Sequence, residues 1–402
     1  MNKTDNIYST IRSTKFVLKP TSRQKEILES FFGINRALYN ISLYNVKNFK
    51  FGTYELENGS IVPRIPSEID LNNSIPKLKE EYSYLALLPA DYAQATMRNL
   101  SRGFNNFYRT LNYPKFKAKK SSNQSFNCYK GAKIDGDYII LRRPRESDYS
   151  KDDLKIRFKR HKIKYNFEKV TGFTISKENN KYYISFTFHC NIESKETSGS
   201  VGIDLGIKDF AICSNRQTFK NINKTQKMRR LEKQLKREQK KLSRKYESFK
   251  LKNKNKKGEA TRQNIQKQIV KVQKLHQRLA NIRTDYLNKV VNEIVKTKPS
   301  HITIEDLNVS GMMKNKHLSK AIQQQKLYEF RRQLEYKCKW NNIELRIADR
   351  FYPSSKLCHC CGSIKKDLKL KDRVYKCDCG YIEDRDYNAS LNLRDCKTYK
   401  IA

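Results

Sequence analysis

Four cysteines in two short, glycine-ended pairs restrict this chain more than any other feature. "CHCCG" carries Cys358 and Cys361 in C-x-x-C spacing, and "CDCG" carries Cys377 and Cys379. A close pair of thiols followed by glycine forms a knuckle, because glycine supplies the backbone freedom that so tight a turn asks for. Two knuckles facing each other make a set of four thiolates, the donor set of tetrahedral structural zinc at ~2.3 Å. Four thiolates leave no open position for water, so the site is expected to hold the chain rather than to catalyse. On sequence alone Cys360 and His359 compete as ligands, and the second knuckle is shortened to C-x-C. The plainer alternative is a scatter of buried cysteines without a metal. The ten cysteines are expected to be thiols and metal ligands rather than disulfides, since "MNKTDNIYST" lacks the apolar stretch of a secretory signal and a cytosolic protein is expected.

Charge narrows the partner. Lys and Arg total 84 against 41 Asp and Glu, a formal charge of +43. Such a surface repels itself unless something anionic covers it, and nucleic acid does so with release of counterions. An anionic membrane is the rival, but the chain offers no amphipathic anchor and no lipidation signal. No segment reaches the ~18–20 apolar residues of a membrane span.

The length of 402 residues predicts two or three domains. "RSTKFVLKPTS" reads as a strand stopped at Pro20. Helical spacing then places Ile27, Phe31, Ile34, Leu38 and Ile41 on one face, and later Ala95, Leu100, Phe104, Phe107 and Leu111 on another. After Pro114 the texture turns to β: "DYIILR", "LKIRF", "VTGFTIS" and "KYYISFTFHC", with "KENNK" as a hairpin turn. This predicts a small β-barrel or sheet with helices inserted into it. Lysines interleaved with Phe116 and Phe126 suit phosphate contact and base stacking, and a merely solvated basic face is the alternative.

"SKETSGS" reads as a linker to an α/β half that starts at "VGIDLGIKDFAIC". Residues 224–298 predict a helical hairpin, apolar inside and basic outside, around the polar tip "KLKNKNKKGEATR". "SHITIEDL" and "IELRIADR" read as strands, and "SKAIQQQKLYEFRRQLEYKCKWN" as one helix between them. Three acids stand on these elements: Asp204 in "GIDLG", Glu305 in "ITIEDL" and Asp386 at the start of "DRDYNASLNL". A single carboxylate there reads as a helix cap or an ion pair. Three of them in one basic domain suit Mg²⁺, and two such ions support phosphodiester hydrolysis.

The segments "GIDLGIKDFA", "ITIEDLNVSGM" and "DRDYNASLNL" resemble the three RuvC nuclease motifs of the TnpB family, transposon-encoded RNA-guided DNA endonucleases related to type V CRISPR effectors. "SSKLCHCCG" and "YKCDCGYIEDRD" resemble that family's zinc ribbon, and "FVLKPTSRQKEILESFFGINRALYN" and "YPKFKAKKSSNQSF" its first half. The resemblance implies an α/β RNase H-like RuvC domain at 197–353 and 381–402, carrying the hairpin 224–298. It implies a zinc-ribbon insert at 354–380, an oligonucleotide-binding β-barrel (wedge) at 1–20 and 112–196, and a helical recognition domain at 21–111. It also implies catalysis by Asp204, Glu305 and Asp386 with two Mg²⁺ ions, and one zinc ion on Cys358, Cys361, Cys377 and Cys379. Asp384 is the alternative third acid, and Asp306 is a neighbour of Glu305. The implied partners are a guide RNA and double-stranded target DNA, bound by a cytoplasmic, nucleoid-associated monomer. The C-x-C pair departs from the family's commoner C-x-x-C. A guided repressor that does not cut is the alternative function, and a strand-transferring transposase is another. A His pair around an apolar residue, which the partner transposase carries, is absent.

Overall fold

"KENNK" turns as expected. Asn179 and Asn180 both have positive φ, 46° and 65°, as a two-residue type I′ hairpin requires. They join Val170–Glu178 to Lys181–Ile192, which pair antiparallel. Ile184, Phe186 and Phe188 are buried, as the alternation predicts. In the computed structural model, which describes residues 8–121, 123–130, 133–159, 170–192, 196–254, 262–369 and 372–402, these strands belong to a seven-stranded sheet. Its order is Asn123–Cys128, Val170–Glu178, Lys181–Ile192, Tyr8–Lys19, Lys155–Lys159, Tyr138–Ile140 and Lys133–Asp135.

That sheet and its helices form one compact unit, Ser9–Cys190; a second is built on Asn191–Ala402. In the first, helices Ser22–Lys47 and Ala90–Thr110 follow the first strand. Thr21 and Gln24 cap the former reciprocally, each backbone N–H donating to the other's side chain. Ile27, Phe31, Ile34, Leu38, Leu100 and Phe104 are buried in one core with the sheet's Phe126, Ile175 and Phe186. Phe31 meets Phe126 edge to face at 5.7 Å. Leu111 corrects the predicted apolar face. The helix ends at Thr110, Leu111 takes the left-handed cap conformation (φ 56°), and its side chain is 82% exposed.

The second unit has a six-stranded sheet in the order Thr218–Lys220, Asp209–Cys213, Ser200–Leu205, His301–Glu305, Glu344–Ala348 and Tyr399–Ile401. Ser200–Leu205, His301–Glu305 and Glu344–Ala348 run parallel, and the other pairings are antiparallel. Strand periodicity divides its faces. Val201, Ile203, Ile302 and Ile304 share a core with Leu287, Val291 and Ile294 of the long helix Gln263–Lys296 and with Phe330 and Leu334. Gly202 lies on the opposite face, against the closing helix Arg385–Arg394. Helices Gln226–Lys254 and Gln263–Lys296 form the expected hairpin, with Met228, Leu231, Leu275 and Leu279 buried between them. Its polar tip lies largely outside the described residues, and so does part of "SKETSGS".

One predicted helix is two. Ser319–Gln325 and Leu327–Trp340 are separated by Lys326, which is left-handed (φ 54°, ψ 43°). Its ammonium reaches the long helix, donating to Thr284 Oγ1 at 2.7 Å, so a tertiary contact accompanies the break in local helical periodicity. Among the described residues no helix is long and apolar enough to cross a membrane.

Candidate active site

Sheet register brings two of the predicted acids side by side. Gly202 pairs with Thr303 and Ile203 with Ile304 in parallel strands. One step further along, Asp204 stands beside Glu305 near the carboxyl ends of both strands. Each lies two residues past a position on the closing-helix face, so both carboxylates share that face. The closing helix can come this close because Gly202 has no side chain. A Cβ there would lie 2.0 Å from the Ser390 carbonyl oxygen and 2.3 Å from the Arg394 nitrogen.

The third acid arrives on that helix. Asp384 Oδ1 accepts from the backbone N–H groups of Asp386 (2.9 Å) and Tyr387 (3.0 Å), so Asp384 is the N-cap. Asp386 sits in the first turn, where Arg385 donates to its Oδ1 through Nη2 (2.8 Å) and Nε (3.0 Å). Arg373 approaches Oδ2 at 3.6 Å.

The charges feel one another. Burial drives the Asp204 carboxyl well above its ordinary range, and the negative charges of Glu305 and then Asp386 push it further, while Arg385 opposes them. Burial also raises Glu305, against a hydrogen bond from Ser354 Oγ to Oε1 at 2.7 Å and with the help of Asp386. Asp306 goes the other way. Desolvation would raise it, but hydrogen bonds from Arg350 (2.6 Å) and Arg331 (3.1 Å) hold it low, and both its oxygens are engaged by arginine. Three mutually repelling carboxylates are a donor set that a hard, oxygen-seeking cation offsets, so these residues fit Mg²⁺. They are not drawn into a group as close as the cysteines, and Asp386 leans on Arg385.

The four cysteines converge. Cys358 and Cys379 sulfurs are 3.7 Å apart, Cys361 and Cys377 sulfurs 3.6 Å, and all four lie within 4.8 Å of one another. A tetrahedron with ~2.3 Å zinc–sulfur bonds has edges of ~3.8 Å, so the set fits zinc. Gly362 (φ 76°) and Gly380 (φ 88°) end the knuckles in the conformation that favours glycine. A hydrogen bond with Ser363, helped by the Cys379 backbone, lowers the Cys377 thiol to about 6. Cys360 is exposed and outside the group, and the His359 ring faces Asp395 at 3.8 Å. Strand Val374–Lys376 leads into the second knuckle, and its antiparallel partner Ile382–Asp384 leads from it straight into the Asp384 cap.

Spacing did not single out Ser354 or Asn392; Asn388, two residues after Asp386, was expected with Arg385 to support the site, without an assigned step. The two asparagines sit four apart on one face of the closing helix, inside "YNASLNL", and both are buried. Polar residues at an i,i+4 spacing within an otherwise apolar helix face were the available signal.

Three family descriptions match the chain: a helix-turn-helix domain over residues 10–48, "Probable transposase" over 179–316, and the Cas12f1-like TNB domain over 328–393. The chain is 30% identical over 387 residues to a Streptomyces pristinaespiralis protein named "Putative RNA-guided DNA endonuclease", covering 95% of this chain and 88% of the relative. It is 29% identical to InsQ of Escherichia coli K12, which carries the same description, over 95% of this chain and 91% of that one. It is 25% identical to the TnpB-like protein L770 of Acanthamoeba polyphaga mimivirus, over 97% of this chain and 74% of the relative. Among solved structures it resembles Cas12f1 from a complex with single-guide RNA and target DNA, with a TM-score of 0.53 and 13% identity, over 98% of this chain and all of that one. At that identity the likeness speaks for the fold alone. The protein is of the class that joins a mixed α/β domain to a four-cysteine ribbon. It belongs to the TnpB family.

Proposed function

We propose that this chain is an RNA-guided DNA endonuclease that hydrolyses target DNA at Asp204, Glu305 and Asp386. The observation that carries the reading is the meeting of Asp204 and Glu305 in adjacent register beneath the helix that bears Asp386, in a chain 30% identical to a relative described as such an enzyme. The six-stranded unit is read as an RNase H-like RuvC domain over 197–353 and 381–402, with the ribbon 354–380 inserted. The seven-stranded sheet is read as the oligonucleotide-binding barrel, or wedge, over 1–20 and 112–196, with the recognition helices 21–111 inserted.

Asp204 and Glu305, fixed on rigid strands, and Asp386, fixed by the Asp384 cap, would hold Mg²⁺. When bound, Mg²⁺ activates water and stabilises the leaving oxygen of a phosphodiester. Arg385 restrains the Asp386 carboxylate, and the Ser354 hydroxyl orients Glu305. Guide pairing reads the target sequence, while the protein contributes backbone contacts and recognition of a short flanking motif. The exposed cations of the hairpin, Arg230, Lys233, Lys236, Arg237 and Lys240, suit phosphate tracking. Cys358, Cys361, Cys377 and Cys379 would hold one zinc ion and keep the closing helix in place. A repressor that never cuts has no use for three acids beside anionic DNA.

The test is Asp204→Ala in the guide-loaded protein. Plasmid cleavage is expected to vanish while guide RNA and target binding remain. Undiminished cleavage would overturn the assignment.

A further inference from the structure

Glu305 reaches the ribbon through one buried side chain. Ser354, 4% exposed, donates from Oγ to Glu305 Oε1 at 2.7 Å, across 49 residues of sequence. Glu305 Oε2 has no hydrogen-bond partner among the described residues, so Ser354 selects which carboxylate oxygen stays open. The serine is itself held from behind. Asn392 Nδ2 donates to the carbonyls of Ser354 (2.8 Å) and Leu357 (2.7 Å). Asn388 Nδ2 donates to the Leu357 carbonyl (2.8 Å), and its Oδ1 accepts from the His359 N–H (3.3 Å). Leu357 and His359 flank Cys358, the first cysteine of the ribbon. Asn388 and Asn392 belong to the helix that carries Asp386. One hydrogen-bonded strap thus ties the first knuckle, Glu305 and the helix of the third acid.

We propose that Ser354 is a positioning residue for Glu305, set by the first cysteine knuckle through Asn388 and Asn392, so that metal in the ribbon tunes divalent-cation affinity at the acids. This rests on the reading above only in taking the acids as a cation site. A buried hydroxyl donating to a half-buried carboxylate is more than a packing contact. Removing it frees the carboxylate to rotate and leaves a half-buried acceptor unpaired. The knuckle matters because the Ser354 and Leu357 carbonyls share one donor, Asn392, so displacement of the Cys358 turn is transmitted to the serine.

The test uses Mn²⁺ as probe on the full-length protein, with free Mn²⁺ read by electron paramagnetic resonance and Asp204→Ala as background. Ser354→Ala is expected to raise the Mn²⁺ dissociation constant about tenfold, equal to ~1.4 kcal/mol. Its zinc content should be unchanged, and Ser354→Thr, which keeps the hydroxyl, should bring the affinity back toward the parent value. Cys377→Ser, or zinc removal by chelation, should weaken Mn²⁺ in the same direction. Should Ser354→Ala fold poorly, Asn392→Ala keeps the hydroxyl, loosens its anchor and should shift Mn²⁺ affinity by less. Parent-like affinity in Ser354→Ala, or in both the zinc-stripped protein and Asn392→Ala, overturns the proposal. Cleavage by the same preparations separates the two ideas. A parent protein that binds Mn²⁺ at the acids yet never cuts defeats the nuclease reading and leaves Ser354 standing. A cutting parent with unshifted Ser354→Ala affinity defeats only the strap.

Discussion

Adding one methyl group at Gly202 should separate the acids without touching any of them. A Cβ at this position would lie 2.0 Å from the Ser390 oxygen and 2.3 Å from the Arg394 nitrogen, both backbone atoms that cannot rotate away. Ordinary contact begins near 3.4 Å, so strand and helix must part by about 1.4 Å. Overpacking of this kind costs about 1–3 kcal/mol, which a unit of this size survives. The strain falls on the closing helix, and that helix carries Asp386 toward Asp204. A misplacement of about 1 Å at a reacting centre costs on the order of 10²-fold in rate. Gly202→Ala should therefore cut at least about a hundredfold more slowly than the parent while still binding guide RNA. The assay is single-turnover cleavage of a labelled target by the guide-loaded protein, with thermal melting and RNA binding measured alongside. A variant that melts and cuts like the parent would refute the close-approach reasoning. A variant that loses RNA binding in parallel would show that the damage is not confined to the acids.

Two further outcomes are expected. The purified chain should carry one zinc ion per molecule, and Cys377→Ser should release it and lower the melting temperature, because structural zinc binding is itself folding energy; unchanged zinc content, measured by mass spectrometry, would remove the ribbon assignment. Replacing Arg230, Lys233, Lys236, Arg237 and Lys240 with glutamine should weaken guide-RNA binding and flatten its salt dependence by ~0.7 in log–log slope for each phosphate that is no longer neutralised. An unchanged slope would mean that the hairpin's charge is only a solvated face.

Local chemistry was legible wherever the deciding interaction lies within a few residues. The knuckles were readable from Cys-x-x-Cys, Cys-x-Cys and the glycines that follow, and Gly362 and Gly380 take the positive φ that such turns demand. Asn179 and Asn180 announced their turn in the same way. Apolar alternation in "KYYISFTFHC" and helical spacing at Ile27, Phe31 and Leu38 named their own buried faces, because period and solvent exposure are both local quantities. Asp204, Glu305 and Asp386 stood out as acids against a charge of +43, and their motifs carried the family resemblance.

Spacing fails where a distant segment decides. Lys326 interrupts a helix whose apolar period runs through it, and its ammonium is bonded to Thr284 on another element. Leu111 fits a buried stripe by number but falls one residue beyond the helix, where the cap turns it to solvent. The motif favours Asp386 as the third acid, with Asp384 as the alternative. In the structure Asp384 caps the helix through Oδ1 and Asp386 is held by Arg385, and the charges of both act on Asp204, that of Asp386 the more strongly. Sequence alone determined which residue types were present for zinc and for an acid site, and the turns and periods that carry them. Only the tertiary structure decided that Gly202 admits the closing helix and that Ser354 touches Glu305. Those contacts join residues far apart along the chain, and their geometry exists only once sheet register and helix packing have brought the segments together.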